Sequence, residues 1–366
     1  MSAPPPVAGP PARLPAADLA RRLGVSAEAV ALLDAHDLID LHIDTFIPPR
    51  LWGYDPLARH AGGPLGHRFF GHLDLPRIEE HRLAGAMWSI TTNPFRGAAA
   101  RWRTFLANLS RFRELVARSA GRMAFAPTLA AYRAARARGA HAVLLSIQGA
   151  NALEAAPEGP ASIPEGLVVR ATLVHLTNSV YGATSSPHHL LRADKGLTRA
   201  GAALVEALNA ARVGVDLAHI HPRAFADALA VHDRTQPLLA THTGVSGVRP
   251  HWRNLDDAQL RAIAATGGTV GVIFSRMFLA RRGGPVDAGM VVEHLAHIVD
   301  TVGEAHASIG SDYDGAITPP ADIGRGEYAR VVQKMLDRGW SDTRIAAILG
   351  GNALRVFGAL RPGSPP

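Results

Sequence analysis

The chain has 366 residues, 47% of them hydrophobic and 19% charged, with no cysteine and a formal net charge of +7. Zero Cys excludes thiol nucleophiles, thiolate zinc sites, iron–sulfur clusters and a disulfide framework, so any metal must rest on His, Asp, Glu or neutral oxygen donors. Length alone suggests two domains, but α/β barrels of this size form one, and no apolar run reaches the roughly 18 residues that a membrane span requires.

From the N-terminus, residues 1–15 are Pro/Ala-rich and read as a mobile arm, without the basic-then-apolar pattern of a secretion signal. A helical extension leads into a single unit spanning 16–360, and residues 361–366 form a polar tail. Within that unit, short apolar runs at 38–44, 85–91, 142–148, 168–175, 213–219, 238–242, 269–274 and 307–312 read as strands. Helix-periodic stretches separate them, at 101–117, 198–211, 256–265, 291–301, 327–338 and 341–349. Asn254, Asp256 and Asp257 open the third of these, and Gly350–Gly351 is expected to stop the last. Strand–helix alternation of this kind predicts a (β/α)8 barrel with parallel strands. An open doubly wound sheet is disfavoured because no G-x-G-x-x-G follows the first strand.

Two irregular stretches, 48–71 and 179–195, fall after the first and fourth predicted strands, where barrel loops shape the active face. Trp52, Tyr54, Phe69 and Phe70 are expected to pack the first of them down. The positive charge invites a nucleic-acid reading. Yet of 38 basic residues only Lys195 and Lys334 are lysines, and the arginines are dispersed. The densest run, from Arg96 to Arg138, interleaves with apolar residues at helical spacing, as solvated helix faces do. No nucleic-acid or membrane partner is expected, and the location is read as cytoplasmic.

Polar residues gather at one end of the predicted strands. The first ends His42-Ile43-Asp44, the third in Gln148, and the fourth, fifth and sixth in His175, His219 and His242; the eighth ends in Asp312. Residues i and i+2 of a strand share a face, so His42 and Asp44 can meet one target. Any single histidine here is most simply a hydrogen-bonded structural residue, and Asp312 a turn cap, as Asp314 before Gly315 is expected to be. The coincidence of all of them at the C-terminal strand ends points to a divalent metal, zinc or another borderline ion. Loop histidines such as His60, His67, His72, His188, His189, His221 and His251 are left as surface or supporting residues.

These motifs resemble the renal, or membrane, dipeptidase family of zinc-dependent hydrolases within the amidohydrolase-like barrels. The matching segments include Ile39-Asp40-Leu41-His42-Ile43-Asp44, Ser146-Ile147-Gln148-Gly149-Ala150-Asn151, Leu173-Val174-His175, Val215-Asp216-Leu217-Ala218-His219, Thr241-His242-Thr243, Pro250-His251-Trp252-Arg253-Asn254 and Gly310-Ser311-Asp312-Tyr313-Asp314-Gly315. The resemblance implies that His42 and Asp44 ligate one zinc ion, and His219 and His242 a second. It implies that His175 contacts substrate and the tetrahedral intermediate, Arg253 binds the substrate carboxylate, and Asp312 is the acid/base. It further implies a homodimer acting on dipeptides, with a D-residue tolerated at the C-terminal side in bacterial members.

One position departs. The family has a metal-bridging glutamate where this chain has Gln148. Two dications about 3.5–4 Å apart repel by on the order of 20 kcal/mol at an effective dielectric near 20, and an amide offsets none of it. One ion is therefore expected to bind weakly or not at all, with the survivor near His42 and Asp44. Two alternatives stay open: a weak or inactive barrel retained for binding, and a single-metal amidohydrolase of a non-peptide substrate.

Overall fold

The computed structural model describes residues 14–61 and 66–363; residues 1–13, 62–65 and 364–366, which include most of the expected N-terminal arm, lie outside the described residues. The strands are β1 (Leu38–Ile43), β2 (Leu83–Thr91), β3 (Met123–Phe125), β4 (His141–Gln148), β5 (Val168–Thr172), β6 (Gly214–Asp216), β7 (Leu239–Thr243), β8 (Thr269–Val272) and β9 (Ala307–Ile309). They pair in the order β2-β1-β9-β8-β7-β6-β5-β4-β3, all parallel, and an additional β2–β4 pairing closes eight of them into a ring. This is the expected (β/α)8 barrel. The eight predicted strands are the eight of the ring.

Strand β3 was not expected. It pairs only with the first residues of β4, from His141 to Val143, while β5 takes the same edge of β4 from Leu145 onward. Three residues are too few to show a period-2 pattern, so only the neighbouring edge defines them as a strand. Several predicted strands also end early. Pairing stops at Thr172, Asp216 and Ile309, so His175, His219 and Asp312 stand on the loops just beyond.

Inside the ring the barrel is divided by polarity. Its lower part is apolar: Ile39, Leu41, Met87, Leu144 and Val169 cluster with Ala353 and Phe357 of the C-terminal helix. Above them, Ser89 and Thr91 of β2 face Ser146 and Gln148 of β4, and the two serine hydroxyls lie 3.1 Å apart. The outer layer is ordinary amphipathic packing. Helix Asp257–Ala265 starts at a capping box in which Asp256 and Gln259 satisfy each other's backbone N–H groups. Part of the Arg-rich stretch forms the helix Ala98–Arg118, where three arginines are paired: Arg113 with Glu165, Arg118 with Asp55, and the buried Arg101 with Glu154. Helices Ala16–Leu23 and Ala27–Ala35 supply the predicted extension. Among the described residues no helix is long and apolar enough to cross a membrane.

Gly350–Gly351 does not stop the last predicted helix. The chain passes from helix Asp342–Ala346 through one wide turn, Ala347–Gly351, straight into helix Asn352–Leu360. Glycine is needed at 350 for close approach, since a Cβ there would lie 2.1 Å from the Asp37 carbonyl oxygen. At Gly351 the nearest atom would be the Ala346 carbonyl oxygen at 3.3 Å. Gly350→Ala is therefore expected to cost about 1–3 kcal/mol by overpacking against backbone, whereas Gly351→Ala stays within about 1 kcal/mol of wild type. Urea unfolding of the two variants checks this; equal midpoints would contradict it.

Candidate metal centre

The mouth of the barrel is built around a fully buried ion pair. Arg170, in the middle of β5, sets Nη1 3.1 Å from Asp216 Oδ2 at the end of β6. Asp216 also accepts from the Thr172 and Thr241 hydroxyls and from the backbone N–H groups of Ala218 and Thr241. Burial opposes its charge, but Arg170 and these donors outweigh that and hold its carboxyl below the usual range. Such a pair is tolerable in a dry interior only because its hydrogen bonds are met.

The pair sets the hydrogen positions of two histidines that stack on each other, His42 and His242, with ring centroids 3.8 Å apart. Arg170 Nη2 lies 2.7 Å from His42 Nδ1, and a guanidinium can only donate. His42 Nδ1 therefore accepts, and the ring hydrogen sits on Nε2, which lies 3.4 Å from Asp312 Oδ1 and 3.8 Å from Asp44 Oδ1. His242 is the reverse. The Thr241 hydroxyl gives its hydrogen to Asp216, so its oxygen accepts from His242 Nδ1 at 3.0 Å. This leaves the His242 Nε2 lone pair facing the mouth, 2.8 Å from His219 Nε2. Burial holds His42, His219 and His242 well below the ordinary imidazole range, so all three rings are neutral.

Asp312 is brought in by the backbone. The loop after β9 runs on beside β1, with Asp312 N donating to the His42 carbonyl at 2.9 Å and Asp44 N to the Tyr313 carbonyl at 2.8 Å. Asp312 and His219 both adopt left-handed backbone, at φ 62° and φ 66°, which turns each side chain out of strand register and into the mouth. Such conformations cost on the order of 1 kcal/mol in non-glycine residues and are held by their surroundings. Asp312 Oδ1 is buried without a hydrogen-bond partner, and so is His219 Nδ1. Burial and then the Asp44 charge raise the Asp312 carboxyl well above its ordinary range. Gly315 is needed beside it, because a Cβ there would sit 2.2 Å from that bare oxygen.

Gln148, at the end of β4, is claimed by its neighbours. Its amide nitrogen donates to Asp44 Oδ2 at 2.8 Å and Oδ1 at 3.2 Å, and its oxygen accepts from His175 Nε2 at 3.2 Å. This orientation follows from chemistry, since an ionised carboxylate only accepts. Burial raises the Asp44 carboxyl to about 6 and lowers the His175 imidazole to about 4, leaving the first mainly charged and the second neutral near pH 7. Arg253, almost fully buried, holds the His242 carbonyl through Nη2 while its Nε has no partner. Burial lowers its guanidinium to about 10, against the pull of Asp312 and Asp216.

The structure thus gathers His42, Asp44, Gln148, His175, His219, His242, Arg253 and Asp312 in one mouth. One ligand atom each from His42, His242 and Asp312 lies within 4.8 Å of the others; His242 Nε2 and Asp312 Oδ1 fit a cation as they stand, and His42 Nε2 fits once its hydrogen is displaced. Asp44 is not in that group. Sequence reasoning missed Arg170, although a charged residue in the middle of an otherwise apolar strand was the available signal. It also misread Asp314. Rather than cap its own turn, Asp314 is fully buried and accepts from Gly71 N, His72 N and the Thr45 hydroxyl, clamping the first long loop. Within that loop Trp52 packs on Phe70 and Tyr54, as expected.

Arg170→Met leaves Asp216 charged, buried and unpaired, for which the expected loss is about 3–5 kcal/mol of stability. Adding Asp216→Asn should restore part of it. Urea unfolding of the single and double variants checks this, and equal losses would contradict the pairing.

The chain is similar to several known proteins. A 166-residue stretch is 37% identical to an uncharacterised protein in the pqqA 5′ region of Klebsiella pneumoniae, covering 44% of this chain and 60% of that one. The dipeptidase verJ of Clonostachys rogersoniana is 26% identical over 347 residues, 90% of this chain and 84% of its own. A metallopeptidase from Rhodobacter sphaeroides, solved with a phosphinate mimic of the dipeptide L-Ala-D-Ala, superposes with a TM-score of 0.72 at 25% identity, covering 89% of this chain and 99% of that one. Residues 26–362 match the family model of membrane dipeptidase, Peptidase family M19. With that match spanning nearly the whole barrel, the chain belongs to the membrane dipeptidase family, a family of metal-dependent hydrolases.

Proposed function

We propose that this protein hydrolyses the amide bond of a dipeptide-like substrate using one zinc ion held among His42, His242 and Asp312. The observation that carries the reading is the convergence of these three side chains, with a lone pair on His242 Nε2 and a bare oxygen on Asp312. Nitrogen and carboxylate donors without sulfur suit zinc. A bound ion would supply Lewis acidity to the scissile carbonyl and acidify a water.

The remaining groups divide the work. Arg253 takes the C-terminal carboxylate, for which its unsatisfied Nε and fixed guanidinium plane are suited. Asp312 takes the proton that the attacking water gives up and passes it to the leaving amine, so its carboxylate is regenerated at each turnover. His175, half-buried at the edge of the mouth, meets the substrate. A second ion, among Asp44, Gln148 and His219, would be held weakly, since Gln148 presents N–H to Asp44 where the family resemblance implies a carboxylate. The Rhodobacter relative's ligand supports a substrate class that includes a D-residue at the C-terminal side. The reading keeps the homodimer implied by the family resemblance and the cytoplasmic location expected from the sequence.

One observation favours a second reading, a barrel that binds its ligand without turnover: the Gln148 amide donates to Asp44 and accepts from His175 through ordinary hydrogen bonds. Metal analysis and a dipeptide panel decide. Purified without chelator and supplied with zinc, the protein is expected to hold close to one equivalent, and Gln148→Glu to approach two with higher activity. Asp312→Asn should lower kcat by roughly 10²–10⁴. Zinc content near zero after supplementation would overturn the metal assignment. Absence of hydrolysis in both wild type and Gln148→Glu would leave the binding reading.

A further inference from the structure

Beside the mouth, Arg50 and Arg111 line one cavity from two separate elements, and the Arg96 charge bears on Arg50 from a third. Arg50 lies on the short helix Ile47–Trp52 after β1, Arg96 on the loop after β2, and Arg111 on helix Ala98–Arg118. Arg50 is half-buried. Its Nη1 donates to the carbonyl of Thr91, the last residue of β2, at 2.8 Å, and the Thr91 hydroxyl in turn lies 3.4 Å from Asp44 Oδ1. Of the five N–H donors that a guanidinium carries, this is the one engaged among the described residues. Arg50 also lines a cavity of about 400 Å3, together with Arg111, Arg118, Glu114, Tyr54 and Phe46.

The charges there do not balance internally. Arg118 is neutralised by Asp55. Glu114 is the single carboxylate lining the cavity, against Arg50 and Arg111. Burial lowers the Arg50 guanidinium from its ordinary range; Asp44 works against that, and the Arg111 and Arg96 charges add to it. Like charges held together beside a cleft cost stability and draw in a counter-ion. Position adds the direction. In the closed ring β2 stands four strands from β7, directly across the barrel, and Arg253 follows β7. A substrate lying across the mouth with its C-terminal carboxylate at Arg253 would extend its other end toward Arg50.

We propose that Arg50, backed by Arg111 and Arg96, is a second anion-recognition point, and that the substrate is a dipeptide-like amide with a side-chain carboxylate on its N-terminal residue. This rests on the dipeptidase reading for its orientation. Bidentate recognition of a carboxylate is what an arginine edge offers, and the neutral amide of Gln or Asn cannot replace the charge.

The test compares zinc-loaded protein on Glu-Ala and Asp-Ala against their isosteres Gln-Ala and Asn-Ala, in wild type, Arg50→Gln and Arg111→Gln. The acidic member of each pair is expected to have a kcat/KM at least tenfold higher in wild type. Arg50→Gln should erase that ratio while leaving the neutral substrates within about twofold, and Arg111→Gln should reduce it. Equal rates on acidic and neutral substrates in wild type, or an unchanged ratio in Arg50→Gln, would overturn the proposal. Glutarate, added to the same proteins without substrate, separates this site from the function. Thermal stabilisation by millimolar glutarate that is lost in Arg50→Gln supports the anion site even where no dipeptide is cleaved; no stabilisation together with no acidic preference rejects it.

Discussion

The Arg170–Asp216 ion pair is the constraint on which the mouth of this barrel depends. Its Coulomb attraction alone does not justify burying two charges, because desolvation is of comparable size. What the pair supplies is direction. Arg170 has hydrogens and no lone pair, Asp216 lone pairs and no hydrogen, so every group touching them is forced into one hydrogen-bonding sense. Through Arg170 the pair makes His42 an acceptor at Nδ1, and through Asp216 and Thr241 it makes His242 a donor at Nδ1. Two stacked imidazoles thereby acquire opposite tautomers, and only His242 turns a lone pair toward the mouth. A cation at His42 Nε2 has to displace a hydrogen; one at His242 Nε2 does not.

That asymmetry bears on Gln148. A carboxylate at this position would be a second anion beside Asp44, tolerable only with cations between them. An amide in the same place needs no cation: it donates to Asp44 and accepts from His175 with ordinary hydrogen bonds. Amide and carboxylate are nearly isosteric, and β4 pairs with β2 and β5 up to Gln148 itself. The fold does not register the replacement. The electrostatics of the mouth would, because an amide lacks the charge of a carboxylate and turns its N–H groups toward Asp44.

Much of this was readable from the chain, and the division follows a physical rule. His42, Asp44, Gln148 and His242 sit at or beside the ends of long apolar runs, where period and polarity both mark them. His219 and Asp312 were placed on strands that end before reaching them; their left-handed backbone is set by tertiary contacts and leaves no trace in composition. Arg170 stands out in sequence only as a charge inside an apolar run, and its partner Asp216 lies too far along the chain for the ion pair itself to be legible. Gly350 was read by its commonest use, as a helix terminator, when the decisive fact is the Asp37 carbonyl packed against it. Asp314 likewise resembled a turn cap until the first long loop was seen folded onto it.

The two layers inside the barrel explain why such a site can change without loss of structure. Below, Ile39, Leu41, Met87, Leu144 and Val169 form a dry cluster closed by Ala353 and Phe357. It holds the ring together by apolar burial and is indifferent to charge above it. The polar layer contributes little of that burial but must be internally satisfied, because each buried group left unpaired costs about 1–3 kcal/mol. Replacing a metal-bridging acid by an amide meets that condition with Asp44 and His175 as partners. Replacing Arg170 cannot, since no neutral side chain both donates to His42 and neutralises Asp216. The mouth is therefore tolerant at its ligands and intolerant beneath them. Changes in metal use are open to this fold, whereas changes in the ion pair that orients the ligands are not.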